Sequence, residues 1–302
     1  MYTQANSNLA QLSHLQRGLY LAQVANFTYL LAGNAAAGNG AVVARITEKL
    51  RLLSLHRNTH IGNPFSDPAT NVTGFVATTQ TDIVIALRGS WELADWQNNL
   101  HLWQDACVTG GQVHAGFKTA AHHLARLLAP ALRQNMGHLA KQLWLTGHSS
   151  GGAIAILLAH QFKRLAIVVA GIYTYGAPKV GDATYARRYP LRDKLHAFKT
   201  TGDIIPNMPA SRYYLHDWRL RYTDYTQIVE PEELSGATDQ PTLGILHELW
   251  HGKNFAAIAA LAIERSAHSL IGAYIPLLQV ATTPTRPIDP WPASLPTLIT
   301  SG

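Results

Sequence analysis

Apolar residues recur at helical spacing through residues 9–33, "LAQLSHLQRGLYLAQVANFTYLLAG", and again through "AVVARITEKLRLLSLH" at residues 41–56. Together they predict N-terminal helices within residues 5–57, the first closing at Gly33. The stretch "RNTHIGNPFSDPAT" is rich in turn formers, and after it the period changes. "NVTGFVATT" and "DIVIALRG" are short, β-branched and separated by "QT", the pattern of two paired strands. From there the elements alternate. "FKTAAHHLARLLAPAL" reads as a helix, "QLWLTG" as a strand, "GAIAILLAHQFKRL" as a helix, and "GIYTYGAP" and "KLHAFKTTGD" as strands. Such alternation predicts an α/β chain with a mostly parallel central sheet and helices on both faces. "YYLHDWRLRYTDYTQIVE" alternates like an antiparallel ribbon, and "NFAAIAALAIERSAHSLIGAYIPLL" returns to helical spacing. From about residue 281 the chain is proline-rich and is expected to wrap the surface or be mobile. Neither an internal repeat nor a linker divides it, so residues 1–302 are expected to form a single domain.

Composition supports a large core: 47% of residues are hydrophobic and 14% charged. The net charge of +6 is the balance of 24 basic and 18 acidic residues; the basic ones are scattered, and the densest basic stretch, "ARRYPLRDK", contains an acid and a proline. That is the pattern of a solvated surface, and no nucleic-acid partner is expected. Cys107 is the only cysteine, which excludes an intrachain disulfide. No apolar run approaches the roughly 20 residues that span a bilayer. The N-terminus shows no basic start followed by an apolar segment, so no cleaved signal peptide is expected. The chain is therefore expected to be soluble, and cytoplasmic or exported by a signal-independent route.

The candidate chemistry starts at "GHSSGG", between the strand "KQLWLT" and the helix "AIAILLAHQF". "GHSSG" fits G-x-S-x-G with Ser149 at the centre. At a strand-to-helix turn, small neighbours allow a strained serine to lift its Oγ above the sheet, with the N–H of Ser150 facing the same space. A serine hydroxyl needs a base to take its proton and a third group to orient that base. On a sheet of this kind the chain order is serine, acid, histidine. Asp203 follows the strand "KLHAFKT" in a proline-punctuated loop and is the candidate acid. Asp182, after "GAPKVG", suits a helix cap, and Asp217 and Asp224 fall in the ribbon as surface positions. Downstream of Asp203, His216, His247, His251 and His268 are all available by order.

The motifs "VIALRGSWELADWQNNL", "VHAGF", "LTGHSSGGAIAILLA", "YTYGAPKVGD" and "TTGDIIPNMP" occur in the order and approximate spacing of the class 3 (fungal-type) lipases. The chain resembles that family from about residue 82 to about residue 209, and more weakly to the last helix. The resemblance implies an α/β-hydrolase fold, no cofactor, and hydrolysis of lipid esters in the manner of a triacylglycerol lipase. It implies Ser149 as nucleophile, Asp203 as acid and His268, in "ERSAHSLIGAY", as base. Ala267 stands where the family often has an acidic residue, and Tyr274 comes later than the family's aromatic. The resemblance makes Ser90 the second oxyanion donor beside Ser150, with Asn99 where the family often has an aspartate. It places a lid over "SWELADW", where Trp91 and Leu93 would form an apolar face able to meet a lipid–water interface.

"HELWH", residues 247–251, also fits the H-E-x-x-H zinc signature, with His247 and His251 on one helical face and Glu248 between them. "HGKNF" does not extend it with the glycine and third histidine of the longer form, so two unliganded surface histidines and no bound metal are expected. Three functions follow: a serine hydrolase of lipid esters, a zinc protease, and a non-catalytic lipid binder. Within the first, lipase, phospholipase and feruloyl-type esterase share the residues named.

Overall fold

The computed structural model describes residues 8–31, 40–53, 60–61, 64–67, 69–89, 104–138, 141–209, 212–214, 220–222, 224–236 and 267–282. The chain enters through a 3-10 turn, Leu9–Gln11, and a helix, His14–Phe27. Ser13 divides the two because its hydroxyl caps the helix, accepting the N–H of Gln16 while the Gln16 side chain accepts the N–H of Ser13. The expected first helix is thus broken near its start. A second helix, Gly40–Leu52, follows.

Fourteen strands are described. β1 (His60–Ile61), β2 (Phe65–Asp67), β3 (Val72–Thr78) and β4 (Asp82–Leu87) begin the main sheet. β3 and β4 pair antiparallel in the register Val76 with Ile85. β1 and β2 lie inside the stretch read from sequence as turns; each is too short to show a period. β5 (Gln104–Ala106) and β6 (Gln112–His114) form a side ribbon. β7 (Gln142–His148), β8 (Gly171–Tyr175), β9 (Gly181–Asp182) and β10 (Leu195–Thr200) come next. β11 (Arg212–Tyr214) and β12 (Leu220–Tyr222) form the expected antiparallel ribbon. β13 (Tyr225–Thr226) joins the side sheet through β9, and β14 (Glu232–Leu234) closes the main sheet. The main order is β1-β3-β4-β7-β8-β10-β14, parallel from β4 onward.

Alternation along the central strands feeds two cores. Ile83, Ile85 and Leu87, with Leu143, Leu145 and Ile172, pack with the helices Ala115–His138 and Ser150–Arg164. Val84, Ala86, Trp144, Tyr173 and Tyr175 face the opposite way, against the His14–Phe27 helix and the C-terminal residues Leu270–Leu278. The last segment departs from the continuous helix expected there. Ala267 to Ser269 form a turn, Leu270–Tyr274 a wide π turn, and the α-helix runs Ile275–Thr282.

Candidate active site

Parallel strands deliver their following loops to one edge of the sheet, and this edge carries the site. His148 ends β7 opposite Tyr175 at the end of β8, and Phe198 of β10 lies beside Tyr175 in turn. Ser149, Gly176 and Asp203 follow these three strands, and Gly89 follows β4 on the other side.

Ser149 sits at φ 55°, ψ −131°, a conformation unfavourable for a residue with a Cβ, and tolerated at sites that need a side chain held in one direction. Its N–H donates to the carbonyl of Tyr175 at 2.9 Å, and its carbonyl accepts from Gly152 at 3.0 Å as the next helix starts. The turn is tight because the flanking residues lack side chains. A Cβ at Gly147 would lie 2.5 Å from the backbone of Gly151. Ser150 is the first residue of the Ser150–Arg164 helix, in the turn whose N–H groups have no acceptor within the helix.

The structure brings Asp203 and His268 together across 65 residues. His268 Nδ1 lies 2.8 Å from Asp203 Oδ2, with both residues about 5–6% exposed. The same Oδ2 accepts from the Tyr274 hydroxyl at 2.6 Å, and Oδ1 accepts the N–H of Ile205 at 2.9 Å. Burial opposes ionisation of Asp203. His268, its hydrogen bond, the Tyr274 hydroxyl and the Ile205 N–H together outweigh this and hold the carboxyl below its ordinary value. Tyr274 reaches the acid from its late position because the wide turn before it returns its N–H to the carbonyl of Ser269 at 3.1 Å. Thr200 Oγ1 donates to the carbonyl of Ala267, tying the histidine's turn to the end of β10.

Asp182 caps the short helix Ala183–Arg188, accepting from Tyr185 N–H at 2.7 Å, and Asp224 is exposed. Ser90, Trp91, Leu93 and Asn99 lie outside the described residues, as do His216, Asp217 and the "HELWH" segment with His247, Glu248 and His251. Among the described residues no group of three or more His, Cys, Asp or Glu side chains could hold a metal ion, and no helix is long and apolar enough to cross a membrane.

Residues 84–213 match the model of the family described as lipase (class 3). That stretch is similar to the class 3 lipases. A secreted mono- and diacylglycerol lipase A from Penicillium cyclopium is 27% identical over 162 residues, covering 50% of this chain and 52% of its own. A secreted mono- and diacylglycerol lipase 1 from Fusarium solani is 30% identical over 146 residues, 46% of this chain and 44% of its own. The chain thus spans about half the length of the curated relatives it matches. The crystal structure of a mono- and diacylglycerol lipase from Aspergillus oryzae superposes with a TM-score of 0.60 at 22% identity, covering 77% of this chain and 84% of that one. The fold is that of the α/β-hydrolases, with the mostly parallel sheet expected.

Three residues at this edge have no part in the reading from sequence. Tyr29 gives no local signal at all, because its role depends on the His14–Phe27 helix lying against β7. His148 is the variable position of G-x-S-x-G, and Gly176 is one of many glycines. The "YGAP" that contains Gly176 is the one available hint.

Proposed function

We propose that the protein is a serine hydrolase of carboxylic esters of lipids, with acylglycerols as the substrate class, acting through an acyl-enzyme on Ser149. The observation that carries this reading is the buried Asp203–His268 pair beside the strained Ser149 turn, at the carboxyl edge of the sheet. The class 3 match and the acylglycerol-lipase relatives support the substrate class.

In the proposed cycle Ser149 Oγ attacks the ester carbonyl carbon while its proton passes to His268 Nε2. Asp203 keeps the ring's other proton on Nδ1 and balances the imidazolium that forms. The N–H of Ser150, with Ser90 as the second donor, receives the oxyanion; one such donor contributes on the order of 3 kcal/mol. Collapse breaks the ester C–O bond and His268 returns the proton to the departing alcohol. Water, deprotonated by His268, then attacks the acyl-enzyme; the fatty acid leaves and Ser149 regains its proton. A lid formed by Trp91 and Leu93 and a transient contact with a lipid–water interface belong to the same proposal.

The test is hydrolysis of p-nitrophenyl esters and emulsified triacylglycerols of graded chain length. Ser149→Ala should lower kcat at least about 10⁴-fold, and a serine-directed phosphonate should label wild type but not this variant. Ser150→Ala should be mild, because its backbone N–H survives. Equal, modest effects of the two substitutions would remove Ser149 from the chemistry. Loss of esterase activity on chelation, restored by zinc, would transfer it to "HELWH".

A further inference from the structure

One hydrogen-bonded chain at this edge has no part in the cycle above. The Tyr29 hydroxyl lies 2.7 Å from His148 Nδ1, and His148 Nε2 lies 2.6 Å from the carbonyl oxygen of His268. The backbone N–H of Gly89 donates to the same Tyr29 oxygen. Every proton in this chain is assigned by elimination. A carbonyl can only accept, so the hydrogen on Nε2 of His148 points at His268. With that nitrogen protonated in a neutral ring, Nδ1 is an acceptor, and the Tyr29 hydroxyl donates to it.

We propose that His148 is a positioning residue for the base: in this one tautomer, set by Tyr29, it holds the backbone of His268 in register with the Ser149 turn. The inference rests on the proposed ester hydrolysis. Its physical content is the joining of three distant pieces of chain. Tyr29 belongs to the N-terminal segment, outside the stretch matched by the family model. His148 adjoins the nucleophile, and His268 arrives from the C-terminal turn. Gly89 follows β4 and immediately precedes Ser90 in sequence, so the same phenol reaches residues on both sides of Ser149. The match of space is close: a Cβ on Gly89 would stand 2.9 Å from the Tyr29 oxygen and 3.0 Å from Ser149 Cβ.

The ring itself contributes. It lies against the His268 ring, tilted by 36° at a centroid distance of 4.4 Å, and meets Tyr274 edge-on at 6.1 Å. A charged ring here would repel the imidazolium that forms on His268 during attack. Burial, and then His268 itself, push the His148 imidazole down to about 3, against its bond to the His268 carbonyl and the Asp203 charge. The neutral ring is thereby favoured, in keeping with the single tautomer that its two hydrogen bonds require.

Three variants of the full chain test this: His148→Leu, His148→Gln and Tyr29→Phe. Glutamine places an N–H near the position of Nε2 and can renew the bond to the His268 carbonyl; leucine cannot. With a short p-nitrophenyl ester we expect His148→Leu to lower kcat about 30-fold with KM within about twofold, the signature of a displaced base rather than a lost binding wall. His148→Gln should lie within about fivefold of wild type, and Tyr29→Phe about fivefold below it. Equal losses in the leucine and glutamine variants, or a raised KM at unchanged kcat, overturn the proposal. If His148→Leu does not fold, as judged by circular dichroism, a Tyr29→Phe variant at wild-type kcat overturns it instead. A proton NMR measurement separates this inference from the reading beneath it. The downfield imidazole N–H shared by His268 and Asp203, identified by its absence in His268→Ala, should broaden or vanish in His148→Leu. Its persistence unchanged overturns the positioning role. Lack of ester turnover in wild type overturns the proposed function alone, and the NMR signal then decides this one.

Discussion

Tyr274 carries a hydroxyl into a fully buried position and spends it on a carboxylate. Three donors converge on Asp203: the His268 ring, the Tyr274 hydroxyl and the Ile205 N–H. A buried carboxylate stays ionised only when such donors replace the water it has lost. Tyr274→Phe keeps the ring and its packing but removes one donor. We expect kcat to fall about tenfold and the unfolding free energy to fall by about 1–2 kcal/mol, read by steady-state kinetics and urea denaturation. A variant equal to wild type in both would mean that the other two donors suffice.

At the scale of elements, the site depends on how closely the end of β8 approaches the Asp203–His268 pair. Gly176 follows β8 with φ +59°, and its N–H donates to Phe198 of β10 at 3.0 Å. A Cβ there would stand 2.7 Å from Asp203 Oδ2 and from the Cε1 and Nδ1 atoms of His268. An alanine therefore meets both an unfavourable backbone and the reacting pair. Gly176→Ala should cost about 1–3 kcal/mol of stability and lower kcat by roughly 10²-fold. Gly40→Ala is the control: nothing lies within 4 Å of its new Cβ at the start of an N-terminal helix, and activity should not change. Assay and thermal melts of the two variants check the contrast. A Gly176→Ala enzyme with full kcat would show that the pair can retreat without loss.

At the scale of the whole molecule, several histidines among the described residues are wholly or partly withdrawn from water, which favours their neutral form. His114, His160 and His196 are pushed down to about 4 and His148 to about 3, in each case chiefly by burial. Guanidinium groups add to it: Arg164 beside His160 and Arg17 beside His196. In the unfolded chain each would titrate near 6.5. Between about pH 6.5 and 4 the unfolded state therefore binds more protons than the folded one, and stability must fall as pH is lowered through that window. Asp203, held below its ordinary value, adds a further loss at the acid end, as its carboxylate is protonated. Urea unfolding at pH 7, 6, 5 and 4 should show stability decreasing monotonically, with roughly two to four protons taken up on unfolding near pH 5. A flat profile across this range would mean that these rings are solvated in the native state.

Local sequence determined the parts of this protein whose cause is local. The change of hydrophobic period marks β3, β4, β7, β8 and β10 and the helices between them, because alternation and 3.6-residue spacing are properties of neighbouring residues. The small residues around Ser149 and the cap at Asp182 are legible for the same reason. Strands of two or three residues, such as β1, β2 and β5, are too short to carry a period and exist only because a neighbouring strand pairs with them. The resemblance to class 3 lipases pointed to Asp203 and His268, but composition and spacing alone left four histidines open. Tertiary structure decided what depends on distant contact. It set Asp203 against His268, brought Tyr274 back through a wide turn, and joined Tyr29 to His148. A hydrogen bond between residues 119 or 65 positions apart leaves no periodicity behind it, since its geometry comes from the packing of whole elements on the sheet.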